Sequence, residues 1–334
     1  MENIDLVVPY VDSSDPIWQE LFNKYNPIKD REVEAVNAKN RFRGQGDFFR
    51  FFFRGVAKNL PWIRKIHLLV QSESQVPAWI NRDTVHVVLH EQFIPKRFLP
   101  TFNSCTIEMF LWNIPGLSEK FIYTNDDVFI INPVLKSQLF EDYKVIIDIF
   151  NVTRMNSIYY KQVDNSYKEI YRNLQPESVT VSHTIRPYLK SDMEICFKLH
   201  QDNILKSISQ FREPKNFNVY LYAYDLNRKD KVICHSPIKN LTRNSVEPIL
   251  LAIKNNKKTT VCIQDAEGED NIYENAQLVS AFKNLFPKKC KYENLEVFSG
   301  LTDEQLKKID ELSSRVPEKI RDDFKTQLLK AWSL

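Results

Sequence analysis

Glycine is scarce in this sequence, with only 6 among 334 residues. Dinucleotide-binding fingerprints and Walker loops need several glycines within one short loop, because the backbone must approach phosphate closely. None of the six glycines forms either pattern. The common nicotinamide-binding and P-loop classes of protein therefore lose most of their support.

The cysteines are also few and widely spaced: Cys105, Cys196, Cys234, Cys262 and Cys290. Their number is odd and no two of them form a CxxC pair, so neither a zinc ribbon nor a disulfide framework is supported. We expect buried structural thiols, since a free cysteine behaves as a small apolar side chain.

Long apolar runs and a strong net charge are absent as well. No run approaches the roughly 18–20 apolar residues of a membrane span, and the first residues do not resemble a signal peptide. Lys and Arg (46) exceed Asp and Glu (43) by only 3, which argues against a nucleic-acid partner. These features predict a cytoplasmic protein. The basic stretch 228–258 is either a solvated loop or a peripheral contact with anionic lipid headgroups of the inner membrane face.

The composition, with 43% hydrophobic and 27% charged residues, is that of a globular protein. Apolar runs that indicate strands alternate with helical stretches in the first half, and the second half is more helical. The pattern predicts an α/β fold with a mostly parallel sheet flanked by helices. Strands are expected at 4–11, 66–70, 85–89, 121–124, 128–131 and 259–263, and helices at 47–59, 104–113, 191–211, 271–285 and 302–334. A further helix should begin at Asp15-Pro16, because Asp15 suits an N-cap and Pro16 suits the first helical position.

The sharpest local feature is the segment FIYTNDDVFI, in which Asp126 and Asp127 lie between two apolar runs. Two carboxylates at the end of a buried strand are costly unless a cation neutralises them. Open α/β sheets bind ligands at the carboxyl ends of their strands. The pair therefore indicates a divalent metal that holds a nucleotide diphosphate, with a tight turn formed by Asn125 and Asp126 as the alternative.

An arginine-rich segment, RFRGQGDFFRFFFRG, surrounds a predicted helix start. Arg50 and Arg54 are four residues apart and share one helix face, and Arg41 and Arg43 precede that helix. The four guanidinium groups predict either a phosphate clamp or a basic solvated face over a phenylalanine core.

Four further polar residues lie next to strand-like or helical stretches, although none of them alone is a specific sign of a functional site. Asp12 ends the first strand, His183 precedes a helix, Arg212 follows a helical stretch, and Asp265 follows the strand in VCIQDAE. A lone histidine is more often structural than catalytic.

The order of these segments resembles that of the Stealth family of sugar-1-phosphate transferases, which includes bacterial capsule phosphotransferases and the lysosomal-targeting N-acetylglucosamine-1-phosphotransferase. IDLVVPYVDSSDP resembles the first of four family blocks, and the stretch from RFRGQGDFFRFFFRG through TNDDVFI resembles the second, most specific one. The resemblance implies a nucleotide-sugar-transferase-like fold. It also implies a catalytic domain over 1–300 and a helical tail over 301–334. Within that domain the first and second blocks lie at 4–131, the third at 179–225 and the fourth at 259–293.

The resemblance also implies roles for individual residues. Asp127, with Asp126 beside it, matches the metal-binding acid, and Glu108 matches an active-site acid that contacts the donor. His183 matches the essential histidine, and Arg212 the arginine that binds donor phosphate.

The nucleotide would lie near a further set of positions. These are Asp12, Arg41, Arg43, Arg50 and, in the fourth block, Asp265.

The activity that the resemblance implies is transfer of a hexose- or hexosamine-1-phosphate from a UDP-sugar, with Mg²⁺ or Mn²⁺, to a sugar hydroxyl. The acceptor would be a lipid-linked or polysaccharide chain of a capsule or exopolysaccharide, and UMP would leave. His183 is the expected general base, since histidine titrates near neutrality, and Glu108 is the alternative. A metal-dependent glycosyltransferase that releases UDP and a sugar-nucleotide-binding scaffold without turnover are the competing hypotheses.

Overall fold

A five-stranded sheet organises the larger of two units into which the chain of this computed structural model divides, Met1–Tyr292 and Glu293–Leu334. The structure describes residues 3–26, 37, 39–42, 44–153, 156–172, 179–264, 271–294, 303–317, 321, 324, 325 and 328. Among these residues, no helix is both long and apolar enough to cross a membrane.

The strands are short, and the longest has six residues. They are β1 (Ile4–Pro9), β2 (Ile66–Val70), β3 (Val85–Leu89), β4 (Lys120–Tyr123), β5 (Val128–Ile130), β6 (Phe140–Glu141), β7 (Lys144–Ile146), β8 (Ile149–Asn151), β9 (Val179–Val181), β10 (Arg186–Leu189), β11 (Val232–Ile233), β12 (Asn240–Arg243) and β13 (Thr260–Ile263).

The described α-helices connect these strands, and several begin at an Asx or serine cap. They are α1 (Pro16–Tyr25), α2 (Arg50–Asn59), α3 (Ser104–Met109), α4 (Ile158–Tyr171), α5 (Lys190–Leu199), α6 (Gln201–Ser207), α7 (Tyr220–Arg228), α8 (Val246–Asn255), α9 (Ala276–Leu285) and, in the second unit, α10 (Asp303–Ser314). The predicted start of α1 is confirmed, because Asp15 accepts a hydrogen bond from the Ile17 N–H and Pro16 occupies the first turn.

The main sheet has the strand order β10-β4-β1-β2-β3, and three of its four pairings are parallel. Only β10 runs antiparallel, against β4 at the edge. Strands β1, β2 and β4 are buried almost throughout, as apolar strands with both faces covered must be. The predicted α/β class with a mostly parallel main sheet is confirmed.

A second sheet of three strands, in the order β12-β13-β5, begins where the chain leaves the main sheet. Strand β5 follows β4 after four residues and pairs antiparallel with β13, with Val128 opposite Cys262. The loop 124–127 therefore lies at the junction of two sheets. This junction brings the second half of the chain to the carboxyl edge of the main sheet.

Several element boundaries differ from the sequence-based expectation. The helix expected over 47–59 begins with a 3-10 turn, Gly46–Phe49, and the one expected over 104–113 ends at Met109 before a second 3-10 turn. The expectation of a solvated loop over 228–258 was wrong. That stretch contains β11, β12 and α8, because Ile249 and Ala252 bury one face of the helix.

The expectation of buried thiols holds for Cys105, Cys196 and Cys262, whereas Cys290 is half-buried and Cys234 is exposed. All five cysteines are free.

The helix α2 packs very closely on β5 because of a single glycine. A Cβ atom at Gly55 would lie 2.7 Å from the Ile130 carbonyl oxygen, which is closer than real Cβ atoms approach a backbone atom. Asn59, one helical turn further, donates to the same Ile130 oxygen at 2.7 Å. The phenylalanine-rich face of α2 can therefore cover β5 directly.

A charged group is buried at the start of the main sheet. Asp5 on β1 accepts hydrogen bonds from both Arg64 Nε (2.8 Å) and Arg64 Nη2 (2.6 Å), contacts His67 Nε2 at 3.0 Å, and accepts from the Ser118 N–H at 2.9 Å. Burial raises the pKa of Asp5, but these hydrogen bonds outweigh it and hold that pKa below its usual range. Asp5 thereby connects β1, β2 and the segment before β4.

We expect Asp5→Asn to lower the free energy of unfolding at pH 7 by about 3 kcal/mol, the low end for a broken buried ion pair, because Arg64 is partly exposed. The carboxylate stabilises the fold above the unfolded-state pKa of about 4, and its contribution is lost as pH falls below that value. Urea denaturation at neutral and acidic pH measures both effects.

The control for this experiment is Asp230→Asn, since Asp230 forms an exposed pair with Lys144 that should contribute under about 1 kcal/mol. Equal losses in the two variants would contradict the buried ion pair as a stabilising element.

Candidate functional site

A cavity of about 650 Å³ opens at the carboxyl edge of the main sheet. Its lining includes residues that follow three neighbouring strands: Tyr10 directly after β1, Gln71 directly after β2, and Asn125 two residues after β4. In open α/β sheets this edge is where ligands bind. The predicted Asp126, Asp127, Arg41 and Arg212 also line this cavity.

The loop that carries the two aspartates is fixed by backbone hydrogen bonds at both ends. The Thr124 N–H donates to Val7 O of β1 at 3.1 Å, and the Ile263 N–H of β13 donates to Asp127 O at 2.8 Å. The Val128 N–H also donates to Asn125 O at 3.2 Å, so the loop turns tightly. The turn and the acidic pair are therefore compatible features of one segment.

The two carboxylates lack an adequate cationic partner among the described residues. Desolvation and the charge of Asp127 raise the pKa of Asp126 to about 8, against hydrogen bonds from backbone N–H groups and Gln45. The Oδ1 atom of Asp127 is buried and has no hydrogen-bond partner in the described part of the chain. Two such carboxylates fit a divalent cation, because hard oxygen ligands and an uncompensated negative charge are what Mg²⁺ or Mn²⁺ requires.

His183 lies beside this acidic pair although 55 residues separate it from Val128 of β5. Its Nε2 atom is 3.8 Å from Asp127 Oδ1, and both side chains remain partly exposed, 32% and 25%. The register explains the proximity: β10 runs antiparallel to β4, so the segment before Arg186 meets the end of β4 at Tyr123. The distance lies far within the roughly 12 Å that a base and a metal acting on one diphosphate could span.

The backbone of the His183 segment is held by the second sheet. Asn240 Nδ2 of β12 donates to His183 O at 2.8 Å, and the hydroxyls of Thr184 and Thr260 are 2.9 Å apart. These contacts fix the histidine relative to β13, and therefore relative to β5 and the acidic loop.

Cys262 was not predicted as a site residue, yet it contacts the site. Its thiol donates to Asp127 Oδ2 at 3.4 Å, and burial together with that carboxylate raises the pKa of Cys262 well above its ordinary value. Asp127, His183 and Cys262 place their ligand atoms within 4.8 Å of one another, close enough to hold a metal ion. The sequence could have indicated this role, because Cys262 lies in VCIQDAE, the strand segment that begins the fourth block.

Arg41 and Arg212 reach the cavity from opposite parts of the chain through an aromatic cluster. Each directly precedes or follows a member of that cluster, which consists of the buried Trp18, Phe22, Phe42, Phe102 and Phe211. Phe102 and Phe211 stack with their ring centroids 5.0 Å apart.

The backbone of Arg212 is fixed by Asn37, which both accepts from its N–H and donates to its carbonyl oxygen at 2.9 Å. The side chain also bonds Ser104, since Arg212 Nη2 donates to the hydroxyl of that residue at 3.2 Å.

The predicted four-arginine clamp is not formed. Arg50 donates to Asp47 at 3.0 Å and stacks on Trp79, while Arg54 donates to Phe286 O at 3.2 Å, and neither is among the described residues of the cavity wall. The reason is the helix α2 itself, because its buried phenylalanine face directs the two arginines away from the cavity.

Asp12 and Glu108 do not line the cavity among the described residues either. Asp12 Oδ1 accepts from the Ser14 N–H at 2.8 Å, and its carboxylate lies against Gly44, where a Cβ would come within 2.5 Å of Asp12 Cγ. Asp12 thus closes the turn that follows β1.

Glu108 is buried with both oxygens occupied. Oε1 accepts from the Tyr123 hydroxyl at 3.0 Å, and Oε2 from the Val219 N–H at the start of α7 at 2.8 Å. Burial raises the pKa of Glu108. This geometry disfavours Glu108 as the general base. Arg43 and Asp265 lie outside the described residues.

A buried arginine organises the acidic loop from behind. Arg186 is only 2% exposed, and its Nη2 donates to Asn125 Oδ1 at 3.0 Å. Burial alone lowers the pKa of Arg186, but the phenols of Tyr220, Tyr188 and Tyr123 and the Glu108 carboxylate raise it above its usual value. Arg186 is therefore a permanent cation next to the acidic loop. Sequence reasoning gave it no role, because burial of its charge is decided by α7.

Several other polar side chains face the cavity without a partner. Both amide atoms of Gln71, Oε1 of Gln75 and both ring nitrogens of His90 are buried without a hydrogen-bond partner among the described residues. Burial lowers the pKa of His90 to about 4, so it is neutral at physiological pH. Buried polar groups are normally paired, so this wall is suited to a polar ligand.

Comparison with known proteins adds the family. Residues 41–147 match the family model described as Stealth protein CR2, conserved region 2. A capsular polysaccharide phosphotransferase, WcwK of Streptococcus pneumoniae, is 31% identical over 338 residues, which cover 88% of this chain and 98% of the relative. The receptor polysaccharide phosphotransferase WefC of Streptococcus oralis is 28% identical over 336 residues, 88% of this chain and all of the relative.

A relative of this identity, matched along nearly its full length, makes the chain a member of the Stealth phosphotransferase family. The protein is therefore an enzyme of the transferase class. Among solved structures, the inositol-1-phosphate CTP transferase of T. maritima matches 84% of this chain and 96% of its own at 12% identity and a TM-score of 0.36. A similarity this low carries no argument about function.

We expect Asp126→Asn to raise the melting temperature of the metal-free protein at pH 8, and the gain to shrink toward pH 4. The folded wild type must keep this group protonated up to about pH 8, whereas the unfolded chain releases the proton near pH 4. Wild-type stability therefore falls as pH rises through that window, and an amide carries no such cost. Differential scanning fluorimetry in chelated buffer at several pH values measures the difference.

The control is Asp83→Asn, an exposed aspartate outside the cavity, which should leave the pH profile unchanged. A destabilised Asp126→Asn protein at pH 8 would contradict the desolvated, repelled carboxylate.

Proposed function

We propose that this protein transfers a hexose-1-phosphate or hexosamine-1-phosphate from a UDP-sugar to a sugar hydroxyl of a growing capsular polysaccharide or exopolysaccharide. The bond formed joins the acceptor oxygen to the phosphorus next to the sugar, the bond to the UMP oxygen breaks, and UMP leaves. The observation that carries the proposal is the 3.8 Å separation of His183 Nε2 and Asp127 Oδ1 at the edge of a cavity in a chain of this family.

The curated relatives support the class of acceptor. Those described above are named capsular or receptor polysaccharide phosphotransferases, and a third, cps2G of Lactiplantibacillus plantarum, is named an exopolysaccharide phosphotransferase. We assign the catalysis to the first unit, since the described candidate site residues all lie within Met1–Tyr292.

The donor would occupy the cavity at the carboxyl edge of β1, β2 and β4. Arg41 and Arg212 both line it and would contact phosphate oxygens, which arginine binds in a forked geometry. Among the described residues, the amide of Gln71 and the Oε1 atom of Gln75 have no hydrogen-bond partner, and they are suited to a uracil or ribose, whose groups both donate and accept hydrogen bonds.

Asp126 and Asp127 would hold Mg²⁺ or Mn²⁺, which supplies charge neutralisation of the diphosphate when bound. The Cys262 thiol is a soft ligand and suits neither ion well. We therefore assign Cys262 to orienting Asp127 through its hydrogen bond rather than to holding this metal.

His183 would accept the proton of the acceptor hydroxyl. Its ring lies next to Asp127, its backbone is fixed by Asn240, and it is partly exposed, so an acceptor can reach it. Glu108 is poorly placed for this step, because its carboxylate is buried, lies outside the described wall of the cavity and already accepts a hydrogen bond at each oxygen. The phosphate would thus be approached by an acceptor oxygen on the His183 side of the cavity.

The nucleotide product tests the reaction class. With Mn²⁺, a UDP-sugar panel and a polysaccharide acceptor, we expect UMP and a phosphodiester resonance in the phosphorus NMR spectrum. UDP as the product would show attack at the anomeric carbon and replace this proposal with a glycosyltransferase. Donor binding without any nucleotide release would indicate a non-catalytic scaffold.

The metal-free reaction after EDTA treatment and the Asp127→Asn variant serve as negative controls for that experiment. Cys262→Ser is the matched positive control, and it should retain turnover with Mn²⁺ because a hydroxyl can also donate to Asp127.

We expect His183→Ala to lower kcat by at least the roughly 10²-fold of a lost general base. Arg212→Lys should also lose most activity, since an ammonium cannot make a forked contact with two phosphate oxygens. Steady-state kinetics with the UDP-sugar that turns over in the panel experiment measures both effects.

Arg82→Lys is the control for the arginine substitution, because Arg82 pairs with Glu73 on the exposed surface. Near-normal kcat in His183→Ala would remove the histidine from the reaction, whatever the product.

A further inference from the structure

A second cavity, of about 450 Å³, has His183 in its wall. The same ring lies 3.8 Å from Asp127, which belongs to the wall of the first cavity. The walls of the two cavities are therefore adjacent at His183 and Asp127. This volume falls within the range of small-molecule sites, about 300–1,000 Å³.

Exposed aromatic rings form one side of this cavity. Phe150 in the middle of β8 is 46% exposed and Tyr159 at the start of α4 is 41% exposed. Tyr160 lies beside Tyr159 with a ring centroid separation of 5.2 Å. Large apolar side chains left at the surface next to a catalytic group generally indicate a binding surface. Their flat faces are suited to a ligand with apolar C–H faces.

The remaining wall mixes aliphatic and polar side chains and is almost uncharged. One carboxylate, Asp148, is among its described residues, and no lysine or arginine is. The other members are Val152, Val181, Ile238, Thr180, Ser182, Asn240 and Thr242. The hydroxyl of Thr180 is buried and has no hydrogen-bond partner in the described part of the chain. Such a wall does not compensate a phosphate, whereas it offers acceptors and donors to hydroxyl groups.

Tyr159 is held rigidly by a chain of polar contacts that reaches the first cavity. Its hydroxyl is 3.0 Å from that of Tyr220, to which Arg186 Nη1 donates at 3.4 Å, and Arg186 also donates to Asn125. The ring of Tyr159 is thus positioned before any ligand binds, since its hydroxyl is engaged while the residue remains 41% exposed. A preorganised aromatic platform loses little conformational entropy on binding.

We propose that this second cavity binds the acceptor, as a neutral hexose residue stacked on Phe150 and Tyr159 with a hydroxyl directed at His183. The role of this sugar as the acceptor rests on the proposed function, whereas the binding of a neutral sugar to the cavity does not. It also assigns charged parts of any lipid-linked acceptor to a place outside this cavity, because its described wall holds no cationic side chain apart from the histidine.

Saturation-transfer-difference NMR with neutral methyl hexosides (glucoside, galactoside and N-acetylglucosaminide) tests this site directly. We expect transfer to at least one of them in the wild type, and about tenfold weaker binding in Tyr159→Ala and in Phe150→Ala, as loss of one stacked ring implies. Tyr159→Phe keeps the ring but loses the hydroxyl that positions it, so its binding should be weaker than in the wild type and stronger than in Tyr159→Ala. A hexose phosphate should compete less well than the neutral glycosides.

Tyr143→Ala is the matched control, since Tyr143 is an 80% exposed aromatic residue outside the described wall of the cavity. Its signal should equal that of the wild type. Absence of transfer to every glycoside in the wild type, or unchanged transfer in both alanine variants, would overturn the proposal. Circular dichroism of each variant establishes that a lost signal is not a lost fold.

The kinetic counterpart separates this inference from the proposed reaction. Tyr159→Ala should raise the KM for acceptor about tenfold and leave the KM for the UDP-sugar unchanged. If the product is UDP while glycoside binding still depends on Tyr159, the reaction class fails and the sugar site stands. If UMP is released but neither KM moves, the sugar site fails and the reaction class stands.

Discussion

The charge of two adjacent carboxylates at the end of a buried strand is the constraint on which the rest of the site depends. Asp126 and Asp127 occupy the junction of two sheets, where desolvation and mutual repulsion oppose ionisation. Among the described residues, the buried cation Arg186 lies next to this loop, but its guanidinium bonds Asn125. The remaining charge favours a ligand that brings a cation, which is the condition for binding a nucleotide diphosphate.

This constraint also explains why so many elements converge on one loop. Strand β1 accepts a hydrogen bond from the loop, β13 donates one to it, and β10 aligns His183 with it through antiparallel pairing with β4. Each contact joins segments far apart in the chain. The site can therefore keep two adjacent carboxyl groups at the sheet junction, with the Asp127 side chain only 25% exposed, and the stability that this costs is supplied by the surrounding sheets.

The walls of the two cavities differ in charge and in polarity. Cationic and amide side chains surround the first cavity, aromatic and neutral side chains surround the second, and His183 lies between them. The anionic donor and the neutral acceptor that we propose would thereby be sorted by electrostatics and by surface character. Arg186 connects the two walls, since it bonds Asn125 on one side and Tyr220, the partner of Tyr159, on the other.

The sequence by itself determined the features that depend on local pattern. Apolar runs at 66–70 and 85–89 became β2 and β3, Asp15-Pro16 became a helix start, and the acidic pair followed a buried strand, because these follow from burial and capping within a few residues.

Tertiary structure decided where distant side chains point. It turned Arg50 and Arg54 away from the cavity, occupied both oxygens of Glu108, and brought Cys262 and Arg186 to the acidic loop. Strand register and helix packing set those positions. A local sequence pattern does not specify either of them when the contacting segments lie fifty or more residues apart.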